Sequence, residues 1–234
     1  MVEQRHIKEY NTVLRMLTGD FNPNHDPDNG QFTEASGGSR SKVQEESSGR
    51  EESHKGNIRN TEIARSRIYS PEYAHRIGKL EESPKVKRLI TEHSRSILEH
   101  RSGTKYEDMV YIDSITGEIC KRTDYDVERQ VDASEKMKRM AKRIGPDRII
   151  AIHNHSGSSV PSTGDIGTLV LNKHKYGLVV CHNGDIYKYS AGKNPNIAAY
   201  NTAIKDLDNH GYSKTTIQQF IADAKKADIF IEEL

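Results

Sequence analysis

Ile149-Ile150-Ala151-Ile152-His153-Asn154-His155-Ser156-Gly157-Ser158-Ser159-Val160-Pro161-Ser162-Thr163-Gly164-Asp165-Ile166 joins an apolar strand to two histidines, a Gly/Ser turn and a Pro-Ser-x-x-Asp helix start. Side chains two apart in a strand share a face, which sets His153 and His155 about 6 to 7 Å apart at Cα and lets both imidazoles converge on one ion. Asp165 stands in the first turn of the following helix, so a loop that folds back carries its carboxylate to the same point. Two histidines and a carboxylate with an open fourth position make the ligand set of a catalytic zinc rather than a closed structural one. Taken alone, Ser162-x-x-Asp165 after Pro161 is also a helix-capping box, with the Ser oxygen on the Asp165 amide. A buried, hydrogen-bonded histidine pair without metal is the other bland account. The histidines tip the balance toward a metal, because two of them ending an apolar strand have no capping task.

These residues carry a resemblance. His153-x-His155, then a gap, then Ser162-x-x-Asp165 resembles the JAMM (MPN/JAB) metalloprotease signature, and His-Asn-His followed by Pro-Ser-x-x-Asp resembles most its bacterial RadC-like branch. The gap between the second His and the Ser is one residue shorter than is usual in the family, with every ligand type kept. Upstream, Tyr106-Glu107-Asp108-Met109-Val110-Tyr111-Ile112-Asp113 is similar to the family strand that bears the catalytic glutamate. The resemblance implies one Zn2+ per chain held by His153, His155 and Asp165. It also implies Glu107 as general acid/base and Ser162 as donor to the oxyanion of an attacked carbonyl. On residue pattern alone Glu107 reads more readily as a solvated strand-edge residue than as a catalytic one; with the resemblance it becomes the general acid/base, Asp108 and Glu118 being its nearest rivals.

Length and composition bound the rest. The chain has 234 residues, enough for one domain with appendages or two small ones. It is 33% hydrophobic, with a mean hydropathy of -0.82. The apolar deficit is local: residues 19 to 58 contain no Leu but many Gly, Ser, Asn, Glu and Arg, a mix that cannot bury enough apolar surface to offset ordering entropy. Net charge is +1, from 35 Lys+Arg against 34 Asp+Glu, so no global field draws nucleic acid or an anionic membrane. Neither a membrane-length apolar run nor a signal segment is present, which predicts a cytoplasmic protein, in a bacterial host or carried with a virion. Cys120 and Cys181 sit far apart in strand-like runs and read as buried free thiols rather than a disulfide.

Along the chain, residues 1–18 read as a short, weakly amphipathic N-terminal helix, and 19–58 as a disordered polar linker. Within that linker Phe21-Asn22-Pro23 and Asn29-Gly30-Gln31-Phe32 resemble a segment of phage head-morphogenesis proteins, while a generic polar linker with two aromatic anchors fits as well. Residues 59–102 read as a helical hairpin, with helices over 60–78 and 83–101 and Ser83-Pro84 starting the second. His75, His93 and His100 are expected on helix surfaces. Residues 103–192 read as the JAMM/MPN-like metal-binding domain. Strands at Met109–Ile112 and Ile119–Arg122 flank a Gly-ended turn, and a helix covers 127–144, its methionines filling core. The strand Arg148–Ile152 leads to a helix over 162–176, and a last hairpin turns at Asn183-Gly184. Asn154 is expected to face away from the ligands and shape the turn, with His174 and His182 at surface and turn. Residues 193–234 read as a C-terminal extension of one or two helices. The predicted fold class is α/β: an MPN (JAB)-like mixed sheet sandwiched by helices, preceded by the disordered arm and the helical segment.

The function this implies is a hydrolase: a zinc-dependent peptidase or isopeptidase cleaving an amide bond, encoded by a phage or mobile element. Its partner is then a protein or peptide substrate, with a capsid or portal component one candidate. The alternative is a non-catalytic phage assembly module of MPN fold in which the polar arm does the binding. A DNA-associated role by analogy with the RadC branch has little support from near-zero net charge and zero Trp. His-Asn-His is not an HNH nuclease motif, whose residues spread over a ββα unit.

Overall fold

The computed structural model describes residues 61–234. The helix expected over 1–18 and the linker expected over 19–58 lie outside the described residues. The chain opens with α1 (Arg65–Ile68), α2 (Pro71–Gly78) and α3 (Pro84–Arg101), followed by β1 (Met109–Asp113), β2 (Ile119–Arg122) and α4 (Glu135–Ile144). Then come β3 (Ile149–His155), α5 (Thr163–Leu171), β4 (Tyr176–Cys181), β5 (Ile186–Ala191), α6 (Ile197–His210), α7 (Lys214–Lys226) and β6 (Ile229–Glu233).

One mixed sheet carries all six strands, in the order β2-β1-β3-β4-β5-β6. Only β3 and β4 are parallel, pairing Ile150 with Tyr176 through His155 with Cys181. A parallel pair needs a crossover, and α5 supplies it. Every residue of β3 and of β4 is buried, which is why both read as near-continuous apolar runs. Helices cover both faces. Ile68, Tyr73, Ile77, Val86, Ile90 and Ile97 of α1 to α3 join Ile150, Ile152, Leu178 and Val180 in one core. On the other face α5, α6 and α7 pack on Val179, Cys181, Tyr187 and Tyr189, while α4 brings Met137 and Met140 onto Met109, Tyr111 and Ala151. Cys120 and Cys181 are buried and unlinked.

Local chemistry starts the helices. Ser83 caps α3, accepting from the Val86 amide, with Pro84 at the first helical position. Ser70 and Pro71 repeat the device midway through what reads as a continuous helix over 60–78, so the described part of that stretch is two helices, and residues 61–102 form a three-helix segment rather than a hairpin. Ser134 sets the start of α4 in the same way, and residues 127–134 ahead of it are not helical. The helix expected over 162–176 stops at Leu171, because Tyr176 and Gly177 are drawn into the parallel ladder against Ile150 and Ala151. Gly177 marks a close approach: a Cβ there would lie 1.9 Å from Cζ of Tyr189, whose ring crosses the strand at that point.

The C-terminal extension is not wholly helical. After α6 and α7 the chain returns as β6, pairing antiparallel with β5 from Tyr187 with Glu233 to Ala191 with Ile229. Ile229 and Ile231 point inward while Phe230 is exposed, a half-buried alternation one strand long at the sheet edge. No helix among the described residues is long and apolar enough to cross a membrane.

Candidate metal centre

β3 presents His153 and His155 on one face, as period-2 alternation requires, and both are buried. Their Nε2 atoms stand 3.1 Å apart. The chain leaves β3, turns through Ser156–Ser162 and starts α5, whose third residue is Asp165. Asp165 Oδ1 lies 3.1 Å from His153 Nε2, and Oδ2 lies 3.6 Å from His155 Nε2. A tetrahedral zinc with bonds of about 2.0 to 2.1 Å holds neighbouring donors about 3.3 Å apart. The donor set and its spacing therefore fit a small divalent cation. Glu107, just ahead of β1, completes a buried group with His153 and His155 whose donor atoms all lie within 4.8 Å of one another and which could hold a metal ion.

Protonation is arranged consistently. His155 Nδ1 faces the Ser159 hydroxyl at 2.8 Å and the Ser159 carbonyl at 3.3 Å. A carbonyl only accepts, so Nδ1 carries a proton and Nε2 is the nitrogen presented to Asp165 and to an ion, the usual orientation of a metal-ligating histidine. Burial alone would raise the Asp165 carboxyl. The charges and hydrogen bonds of His153 and His155 overcome it and hold the group well below the ordinary carboxylate range.

Ser162 is the N-cap of α5. Its Oγ accepts from the Asp165 amide at 3.2 Å, and its own amide donates to Asp165 Oδ2 at 2.6 Å. The capping box expected as the bland account of this motif is thus present in full, and it coexists with the clustering of Asp165 and the histidines. The box itself aims the carboxylate: Oδ2 accepts from the Ser162 amide while the same group faces both imidazoles.

The acidic rivals of Glu107 stand elsewhere. Asp108 is fully buried on the helix-α3 side, where Arg101 Nε donates to Oδ1 and His100 Nδ1 lies 2.7 Å from Oδ2. Arg101 in turn pairs with Asp126 at 2.7 Å. Glu118 is half-exposed and pairs with Arg143 at the surface.

Several residues expected to be peripheral are interior. His93, expected on a helix surface, is buried on the inner side of α3. His174 is buried edge-on against Tyr111, with ring centroids 4.9 Å apart, and burial pulls its pKa down to about 4. His182 is buried too, and burial lowers its pKa against the opposing pull of the Thr61 carbonyl. Its Nδ1 faces the Thr61 carbonyl at 2.5 Å and its Nε2 faces Asn154 Nδ2 at 3.2 Å. Asn154 does face away from the ligands, yet it is fully buried and hydrogen-bonded through both ends of its amide. Sequence reasoning passed over His182 and Asn154 because each sits beside a turn. The overlooked sign was that the continuous apolar run Ile149–Ile152 marks a strand covered on both faces, so an Asn on its far side is buried as well and must be satisfied.

Comparison with known proteins adds no relative: no protein-family model matches the chain, and neither a curated protein nor a solved structure matches it.

Proposed function

We propose that the protein is a zinc-dependent peptidase or isopeptidase of the JAMM type on an MPN-like fold, encoded by a phage or another mobile element. The observation that supports it is the approach of Asp165 Oδ1 and Oδ2 to the paired Nε2 atoms of His153 and His155 at 3.1 and 3.6 Å, with a buried carboxylate, Glu107, grouped with the same two histidines. A structural site would close its coordination sphere with four protein side chains, whereas two histidines and one carboxylate leave a position for solvent or substrate.

In this assignment His153, His155 and Asp165 would hold the ion, which would supply Lewis acidity and lower the pKa of a water bound to it toward about 7. Glu107 takes a proton from the attacking water and delivers it to the departing amine, which is general acid/base catalysis by a carboxylate walled off from bulk solvent. Ser162 Oγ spends a lone pair on the Asp165 amide, which leaves its O–H as a donor for the oxyanion that grows on the scissile carbonyl. The substrate class is a protein or peptide amide bond, with phage capsid or portal components as candidates drawn from the resemblance of the polar arm.

The test is elemental analysis of protein purified without chelator, followed by incubation with a quenched-fluorescence peptide library. About one zinc per chain and cleavage that disappears with Glu107→Gln support the assignment. Protein that takes up no zinc, or that cleaves equally well with Glu107→Gln, overturns it.

A further inference from the structure

We infer that Asn154 is a positioning residue that sets the orientation of Glu107 by clamping the peptide units on either side of it. This deepens the peptidase proposal and rests on it. β1 pairs with β3 up to Met109 opposite His153, and there the backbone ladder between these strands stops. Beyond that point the Asn154 side chain takes its place. Its Oδ1 accepts from the Asp108 amide at 2.8 Å, and its Nδ2 donates to the Tyr106 carbonyl at 3.1 Å. Those two groups are the amide following Glu107 and a carbonyl preceding it, so one side chain grips the backbone on both flanks of the glutamate.

The amide orientation is fixed by its surroundings. The second Nδ2 proton points to His182 Nε2 at 3.2 Å, and His182 Nδ1 faces the Thr61 carbonyl, which can only accept. His182 is therefore protonated on Nδ1 and accepts on Nε2. A flipped Asn154 would set its oxygen against two acceptors and its nitrogen against the Asp108 N–H. Each polar atom of Asn154 has a partner, in a buried site where a lost partner is costly. Because β3 alternates, the same strand that aims His153 and His155 at the ion from one face aims Asn154 at the Glu107 segment from the other. Metal ligands and general base are thereby referenced to one rigid element. Asp108, locked to Arg101 and His100, anchors the far side of the clamp to α3.

The experiment compares wild type, Asn154→Ala and Asn154→Asp in the full chain. It reads zinc content, kcat and KM on the best-cleaved peptide of the library, and amide hydrogen exchange at Asp108 in metal-free protein. For Asn154→Ala the expected result is unchanged zinc stoichiometry, kcat lower by about 10- to 100-fold with KM nearly constant, and exchange at Asp108 faster by about 10-fold or more. Asn154→Asp keeps the acceptor for Asp108 and loses the donor to Tyr106, so protection at Asp108 persists while kcat falls. Unchanged kcat in the Ala variant, loss of zinc with it, exchange accelerated throughout β1 and β3, or equal exchange at Asp108 in the two variants overturns the clamp. Wild type that binds zinc and cleaves no peptide defeats the peptidase proposal instead. The exchange data then decide the clamp alone: protection at Asp108 lost in Asn154→Ala upholds it, and protection retained overturns it.

Discussion

His153 Nε2 and His155 Nε2 face one another across 3.1 Å at the end of β3, with one oxygen of Asp165 opposite each. Two imidazole nitrogens brought this close inside a protein need either a shared proton or a shared cation. The carboxylate beside them supplies the negative charge that a cation would neutralise.

The two carboxylates are separable by metal analysis. Asp165→Asn and His153→Ala are expected to lower zinc content well below one per chain. Glu107→Gln is expected to retain the metal while kcat drops by about 10²- to 10⁴-fold. If zinc instead disappears with Glu107→Gln and survives Asp165→Asn, Glu107 is the ligand and the assignments exchange.

Ser162 has two tasks with different readouts. Ser162→Ala removes the cap of α5 and should lower unfolding free energy by about 1 kcal/mol in urea titration. If the hydroxyl also serves the oxyanion, kcat falls by about 10²- to 10³-fold at the same time. Loss of stability with full turnover would leave Ser162 as a cap only.

Gly177→Ala tests the close approach of Tyr189, whose ring stands edge-on to that of His153 with centroids 6.3 Å apart. The added methyl must displace the ring, with an expected cost of about 1 to 3 kcal/mol. Because Tyr189 borders His153, zinc affinity should weaken as well, which competition with a chromogenic chelator would detect.

Asp113 sets an acid limit on stability. Burial raises its pKa, but hydrogen bonds from Arg148, Thr116 and the Ile115 amide outweigh it and bring the value down to about 2, from an ordinary 3.8. A depressed carboxylate contributes its stability above the unfolded value and loses it as the pH falls toward 2. The contribution is on the order of 2 kcal/mol. Asp113→Asn should therefore cost stability at pH 6 and progressively less between pH 4 and pH 2, as measured by thermal unfolding.

His174 acts in a different window. With its pKa held near 4 by burial, against 6.5 when exposed, it stays neutral in the fold while the unfolded chain takes up a proton. Stability is complete above pH 6.5 and declines by about 3 kcal/mol as the pH falls to 4. His174→Phe should flatten that part of the pH profile; an unchanged slope would assign the decline to other groups.

What was legible in the sequence is what depends on short-range periodicity. The short apolar run ending in His153 and His155 read as a buried strand, and alternation then put both imidazoles on one side. Ser162-x-x-Asp165 after Pro161 could only start a helix, whose first turn holds the carboxylate. The hairpin over Asn183-Gly184 and the Ser83-Pro84 helix start were written in residues that force their own backbone. Tertiary structure decided the rest, because those outcomes depend on partners far along the chain. Tyr176 and Gly177 left the preceding helix for a ladder with β3, and Ile229–Glu233 became a strand only because β5 offered it an open edge. Three acidic residues were rivals as sequence, and only a resemblance favoured Glu107. Asp108 went to Arg101 and Glu118 to Arg143, while Glu107 joined the histidines, a distribution set by the course of β1 beside β3. The turn-side residues Asn154 and His182 became interior hydrogen-bond partners for the same reason. A buried amide or imidazole is satisfied by whichever backbone the fold brings to it, here Tyr106, Asp108 and Thr61, and no local pattern names that backbone.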